Sequence, residues 1–262
     1  MSPARRQGAM GQADEPDETY SFTRGVLRGL WRLYWRFAGP PVRFVWRWLR
    51  RAILALLALL VPLVLIFSIL NPPTTLYMAS ESARLDGVKY DWVDMEDIAP
   101  VMARSVVAAE DANFCNHWGF DVSAIRQVIA EGESRGASTI SQQTVKNVFL
   151  WPARSWPRKA LEALITPMVE LGWSKRRILE VYLNVAEFDE GVFGVGAAAQ
   201  HYFGISAADL NASQAARLAS VLPNPKERSA SNPSQFVWQR AASVRDGAAT
   251  ILRDGRVNCF ED

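Results

Sequence analysis

The sequence is poor in the residues from which disulfide scaffolds and metal centres are built, with two cysteines and two histidines among 262 residues. Cys115 and Cys259 are too few for a disulfide framework and have no metal-ligand spacing, and whether they pair stays open. Lysine is scarce as well. None of the five (Lys89, Lys146, Lys159, Lys175, Lys226) has a serine three residues before it, which excludes an acylating Ser-x-x-Lys. Strand-like alternation is rare and no internal repeat is visible, so the chain reads as mainly α without a repeat architecture. Gly191-Val192-Phe193-Gly194-Val195-Gly196 is not a nucleotide loop, because no strand precedes it and its spacing is wrong; it reads as close packing of a small-residue helix.

Charge is unevenly spread. Residues 1–51 hold ten arginines, no lysine and four acids, a net of +6, while the remainder, with nineteen bases and twenty-three acids, carries −4. The pI of about 8.6 therefore averages two unlike halves, and it points to a membrane surface rather than to nucleic acid. Ala52 to Leu70 is apolar except for Pro62 and Ser68, close to the roughly 20 residues a helix needs to span hydrocarbon. Arginines cluster before it and Glu81, Asp86, Asp91, Asp94 and Glu96 follow. The positive-inside rule then places the N-terminus in the cytoplasm and everything from about residue 72 outside. A cleaved signal peptide is the competing reading, disfavoured by the long n-region and the lack of a nearby Ala-x-Ala. Arg24, Arg28, Arg32 and Arg36, interleaved with Leu27, Trp31 and Trp35, suit a juxtamembrane helix on anionic headgroups; a disordered basic tail is the alternative. Residues 1–23 read as disordered. The expected layout is a basic cytoplasmic segment over 1–51, an anchor over 52–70, a linker over 71–96 and a helical domain over 97–255.

Within that domain, Glu110-Asp111-Ala112-Asn113-Phe114-Cys115-Asn116-His117-Trp118-Gly119 concentrates the chemistry. If the helix predicted over Ser105–Phe114 continued, Glu110, Phe114 and His117 would share one face, and the preceding apolar run would partly desolvate Glu110 and raise its pKa. A capped surface helix end is the plainer alternative. A helix is predicted over Val122–Glu133. Beyond Gly136-Ala137-Ser138, Thr139 and Gln142 fit a capping box whose free backbone N–H groups would attract phosphate, with Gln143 and Lys146 nearby; a capped helix with a solvated lysine is equally open. Next, Ser155 can cap a helix with Pro157 in its first turn, and Arg158 and Lys159 sit four and three residues before Glu162, beside Arg154. A surface salt bridge is the common outcome of that spacing. Ser174 to Asn184 reads as a structural amphipathic helix, followed by helices over Ser213–Leu222 and Pro233–Asp254.

These segments together resemble one family, the glycosyltransferase domain of peptidoglycan synthases (glycosyltransferase family 51, the transglycosylase domain of penicillin-binding proteins), and most of all its stand-alone, membrane-anchored, monofunctional branch. Glu110 to Gly119 matches Glu-Asp-x-x-Phe-x-x-His-x-Gly. Gly136 to Asn147 matches Gly-Gly-Ser-Thr-Ile-x-Gln-Gln-x-x-Lys-Asn except for Ala137, Arg158 to Glu162 matches Arg-Lys-x-x-Glu, and Ile178 to Asn184 matches Ile-Leu-x-x-Tyr-Leu-Asn. The resemblance implies a mainly α, lysozyme-like domain with a smaller lobe that dips into the membrane. It also implies polymerisation of lipid II with inversion and release of undecaprenyl pyrophosphate.

By the same resemblance, Glu110 is the general base and Glu162 assists the leaving group, directly or through a divalent ion, Mg or Mn, the one cofactor implied. Ser138, Gln142, Gln143, Lys146, Arg154, Arg158 and Lys159 would bind pyrophosphate and glycan, while Asp111, Phe114 and His117 would support Glu110. Implied partners are lipid II, the growing glycan, the inner membrane and other cell-wall synthesis or division proteins. Rival readings are a glycan-cutting lysozyme-like enzyme, which has no use for a pyrophosphate site, a bifunctional synthase, which lacks its Ser-x-x-Lys here, and a non-catalytic membrane scaffold.

Overall fold

The computed structural model describes residues 18–131, 138–153 and 155–261. The expected disorder of residues 1–17 and the predicted roles of Ala137 and Arg154 lie outside them. Chain contacts divide the protein into Met1–Leu59 and Leu60–Asp262.

The first unit is helical. Glu18 to Leu59 belong to α1 (Glu18–Phe67), so residues 18–23 are helical where disorder was expected. Pro41–Phe67 is long and apolar enough to cross a membrane, with mean hydropathy 2.4 over its most apolar stretch. In the second unit, α1 ends where Arg177 donates to the carbonyls of Phe67 and Leu70, at 3.1 and 2.8 Å, satisfying acceptors the helix leaves open. Trp173 Nε1 donates to Val64 O at 2.7 Å, so two side chains tie the helix end to this unit.

Residues 71–96, expected as a linker, are ordered. They carry α2 (Leu76–Leu85), capped by the Thr75 hydroxyl, and β1 (Lys89–Tyr90). Then follow α3 (Pro100–Glu110), α4 (Val122–Glu131), α5 (Ile140–Phe149), α6 (Trp156–Gly172) and α7 (Lys175–Val185). The Gly191 region, expected to have no strand before it, closes a small sheet of β1, β2 (Glu187–Asp189) and β3 (Val192–Phe193). Its order is β1-β3-β2, with β1 parallel and β2 antiparallel to β3. The strands are too short to show alternation, which is why the sequence hides them. Gly194 needs its φ of +83°, and a Cβ there would stand 2.8 Å from the Asn184 carbonyl oxygen. After α8 (Val195–Phe203) and α9 (Ala212–Val221), α10 (Gln235–Arg253) lays Val237, Ala241, Val244, Ala248 and Ile251 against α3 and α9. Gly247 permits the close approach, since a Cβ there would lie 3.2 Å from that of Ala108.

Two packed groups result, α3 with α9 and α10, and α5 with α6 and α7. Helix α6 is two-faced. Arg158, Glu162, Ile165, Thr166 and Val169 point inward, while Trp156, Leu164 and Leu171 are 86%, 48% and 74% exposed.

Candidate active site

Glu110 is the last residue of α3. The helix stops because Asp111 turns out of it, at φ −160° and ψ 70°, so Glu110, Phe114 and His117 do not share a helical face as expected. Tertiary partners hold Asp111 instead: Oδ1 meets His117 Nε2 at 2.8 Å, and Oδ2 accepts from the backbone N–H of Ile140 at 3.0 Å. The loop is fastened along its length. Arg256 donates to Ala112 O, Lys175 to His117 O, and Thr139 Oγ1 to Gly119 O, at 3.0, 2.7 and 2.6 Å. Phe114 is fully buried and packs on Phe260. Cys115, next to it, forms a disulfide with Cys259 across a sequence separation of 144. Gly119 closes the loop at φ +79°, where a Cβ would stand 2.5 Å from Thr166 Cγ2.

The capping box at α5 forms as expected, with Thr139 N–H donating to Gln142 Oε1 at 3.1 Å and Gln142 N–H to Thr139 Oγ1 at 3.3 Å. Three of its N–H groups are already engaged. Asp111 takes that of Ile140 and the box takes those of Thr139 and Gln142, so the helix N-terminus serves the Glu110 loop.

Glu110 Oε2 accepts from Gln143 Nε2 at 3.0 Å, and Tyr182 OH donates to the same amide's oxygen at 3.3 Å, fixing how Gln143 is turned. Glu110 Oε1 is buried with no hydrogen bond among the described residues. Burial drives its pKa above the usual carboxylate value, and Gln143 and Arg240 only partly offset this. That is the state of a usable base.

Glu162, on α6, is 3% exposed and opposite in character. Oε1 accepts from Lys159 Nζ and from Gln142 Nε2, the latter at 3.3 Å, and Oε2 accepts from Arg158 Nη1 at 3.4 Å. Arg158 is itself buried, so the spacing does not give the surface salt bridge that it gives most often. Lys159 also donates to Ser138 Oγ at 3.2 Å. The Lys146 ammonium has no hydrogen bond or ion pair among the described residues, and desolvation lowers its pKa although Glu162 pulls the other way.

Two clefts, each of about 320 Å³, flank this array. One is lined by Gln143, Lys146, Arg158 and Tyr182. Its far wall is Tyr77, Glu187 and Lys226, where Tyr77 donates to Glu187. The other is lined by Glu110, Asp111, Asp121, Glu131 and Ser138. Tyr77, Glu187, Lys226 and Arg240 carry no local motif, and only the fold brings them here. The one sequence signal for Arg240 is a charge beside the apolar stripe of α10.

The transglycosylase family model matches residues 78–249. A biosynthetic peptidoglycan transglycosylase of Jannaschia sp. (strain CCS1) is 63% identical over 214 residues, covering 82% of this chain and 90% of its own. Proteins of the same name from Caulobacter vibrioides and Pectobacterium atrosepticum are 44% and 49% identical, and the matches span 98% and 97% of their lengths. The chain belongs to the transglycosylase family.

Proposed function

We propose that this chain is a membrane-anchored peptidoglycan glycosyltransferase that polymerises lipid II with inversion at the anomeric carbon, releases undecaprenyl pyrophosphate and has no transpeptidase activity. One observation carries the reading: two buried glutamates stand in opposite surroundings, Glu110 lining one cleft and the cations Lys146 and Arg158 around Glu162 lining the other. Glu110, ionised, takes the proton from the acceptor sugar's 4-hydroxyl, whose oxygen attacks the donor's anomeric carbon as the bond to the donor phosphate breaks. Around Glu162, the three cations Lys146, Arg158 and Lys159 exceed one carboxylate by two charges. That surplus complements the roughly two negative charges of a pyrophosphate diester, most of all as it leaves. Gln143 holds Glu110 and Gln142 holds Glu162 in place, while Ser138 accepts from Lys159.

A divalent Mg or Mn ion at the pyrophosphate fits this donor set poorly. Both Glu162 oxygens already accept from side chains, and no group of three or more His, Cys, Asp or Glu among the described residues could hold a metal. No step is routed through one.

The α1 span is the anchor, with the N-terminus cytoplasmic and the domain periplasmic at the bacterial inner membrane. The Cys115–Cys259 disulfide supports that side, because such bonds persist in oxidising compartments. The outward apolar side chains of α6 rest in the bilayer, which puts the pyrophosphate cations of its inner face at headgroup height. Other cell-wall synthesis or division proteins are expected neighbours.

The test is incubation of detergent-purified protein with labelled lipid II. Expected products are muramidase-sensitive, uncrosslinked glycan and one undecaprenyl pyrophosphate per bond formed. Crosslinked product, or released lipid without polymer, would contradict the proposal.

A further inference from the structure

Gln143 secures one oxygen of Glu110 and leaves the other, Oε1, without a hydrogen bond. Within ion-pair distance of Oε1, among the described residues, stands Arg240, its Nη2 3.7 Å away. The same nitrogen donates at 3.3 Å to the carbonyl of Ala109, one of the acceptors that the end of α3 leaves open. Arg240 Nε is buried without a hydrogen bond among the described residues, so the guanidinium makes no side-on bidentate fork there, and its approach to Glu110 is through Nη2. Its backbone is placed firmly, because α10 packs on both α3 and α9 and Gly247 brings α10 against Ala108.

The geometry points to Arg240 as a positioning residue for the base: it caps the helix that ends in Glu110 and sets a positive charge against the carboxylate oxygen that Gln143 leaves free. This rests on the reading of Glu110 as the base. The 3.7 Å separation matters, since it is too long for a hydrogen bond. A closer, bidentate arginine would occupy the lone pair that must accept the hydroxyl proton. At this distance the charge favours the ionised carboxylate and the lone pair stays available.

Other charged or titratable groups act on Glu110. Lys146 on α5 favours its ionised form but shares its charge with Glu162, Asp111 opposes ionisation, Tyr182 on α7 is held neutral by burial, and Arg228 interacts with both Arg240 and Glu110. Asp121 and Glu131 line the same cleft as Glu110. Asp111 caps α3 through its backbone N–H to Val107 O, but among the described residues none of these groups donates from its side chain to a carbonyl at the end of α3.

The test is the pH profile of kcat/KM for lipid II polymerisation in wild type, Arg240→Gln and Arg240→Lys, with Glu110→Gln run beside them. In Arg240→Gln the acid limb should move up by roughly one pH unit, so that activity falls about tenfold on the limb and returns toward wild type at higher pH. Arg240→Lys should fall between the two, and it decides the matter if the glutamine variant does not fold. A uniform loss at every pH with the limb in place, or an unchanged profile, would overturn the role given to Arg240. Activity in Glu110→Gln would instead remove the base on which the inference rests, so the two failures are distinguishable.

Discussion

Glu110 and Glu162 are the same residue type, both largely buried, with side chains 12% and 3% exposed, yet the protein treats them in opposite ways. Glu110 has one amide donor, a cation held at 3.7 Å and a bare oxygen. Glu162 is saturated by Lys159, Arg158 and Gln142. Burial alone therefore does not assign a role to a carboxylate. A starved one is poised to accept a proton, and a saturated one organises the cations around it for an anion that arrives later.

Several substitutions would break or sharpen this contrast. The largest effect on polymerisation belongs to Glu110→Gln, which removes the proposed base and should cost about 10²–10⁴-fold or more. The same change should raise thermal stability. The folded protein holds the Glu110 proton more tightly than the unfolded chain, so ionising it destabilises the fold as pH rises past the ordinary 4.5. A melting-temperature gain around pH 7 that vanishes below pH 4.5 is expected from thermal scans. Wild-type activity, in turn, should rise with pH through a midpoint above 4.5, because the base works ionised.

Lys146→Met should lower polymerisation by roughly 10²-fold while raising the melting temperature at neutral pH, since desolvation lowers the Lys146 pKa and its charge therefore costs the fold stability. Glu162→Gln should show the reverse balance. It leaves Arg158 buried without its counter-charge and should destabilise by about 3 kcal/mol in denaturant titration, opposite in sign to Glu110→Gln. Equal stability changes at the two glutamates would erase the contrast.

The smallest effect on catalysis is expected from Cys115→Ser with Cys259→Ser, measured below the melting transition. In stability the pair should lose up to about 5 kcal/mol, the loop-entropy value for a closure of 144 residues. Polymerisation should fall only modestly, because Lys175, Thr139 and Arg256 still hold the loop.

Local chemistry was legible where it is local. The Thr139–Gln142 capping box and the Ser155 cap both form, because their partners lie three residues away. The predicted Ser105–Phe114 helix failed at its end, since Asp111 is recruited by Ile140 and His117 and that competition is tertiary. The same recruitment took the Ile140 N–H, one of the groups expected to meet phosphate. Residues 71–96 have a linker's composition, yet Met78 and Met95 are buried in the fold. Arg240 and the cysteine pairing were invisible for a simpler reason: their partners lie more than a hundred residues away.

The most direct test of the central claim compares polymerisation of labelled lipid II by wild type and by Glu110→Gln, both shown to be folded by circular dichroism. Muramidase-sensitive polymer from wild type alone is the expected result. Equal polymer from both, or none from a well-folded wild type, would contradict the assignment of Glu110 as the base.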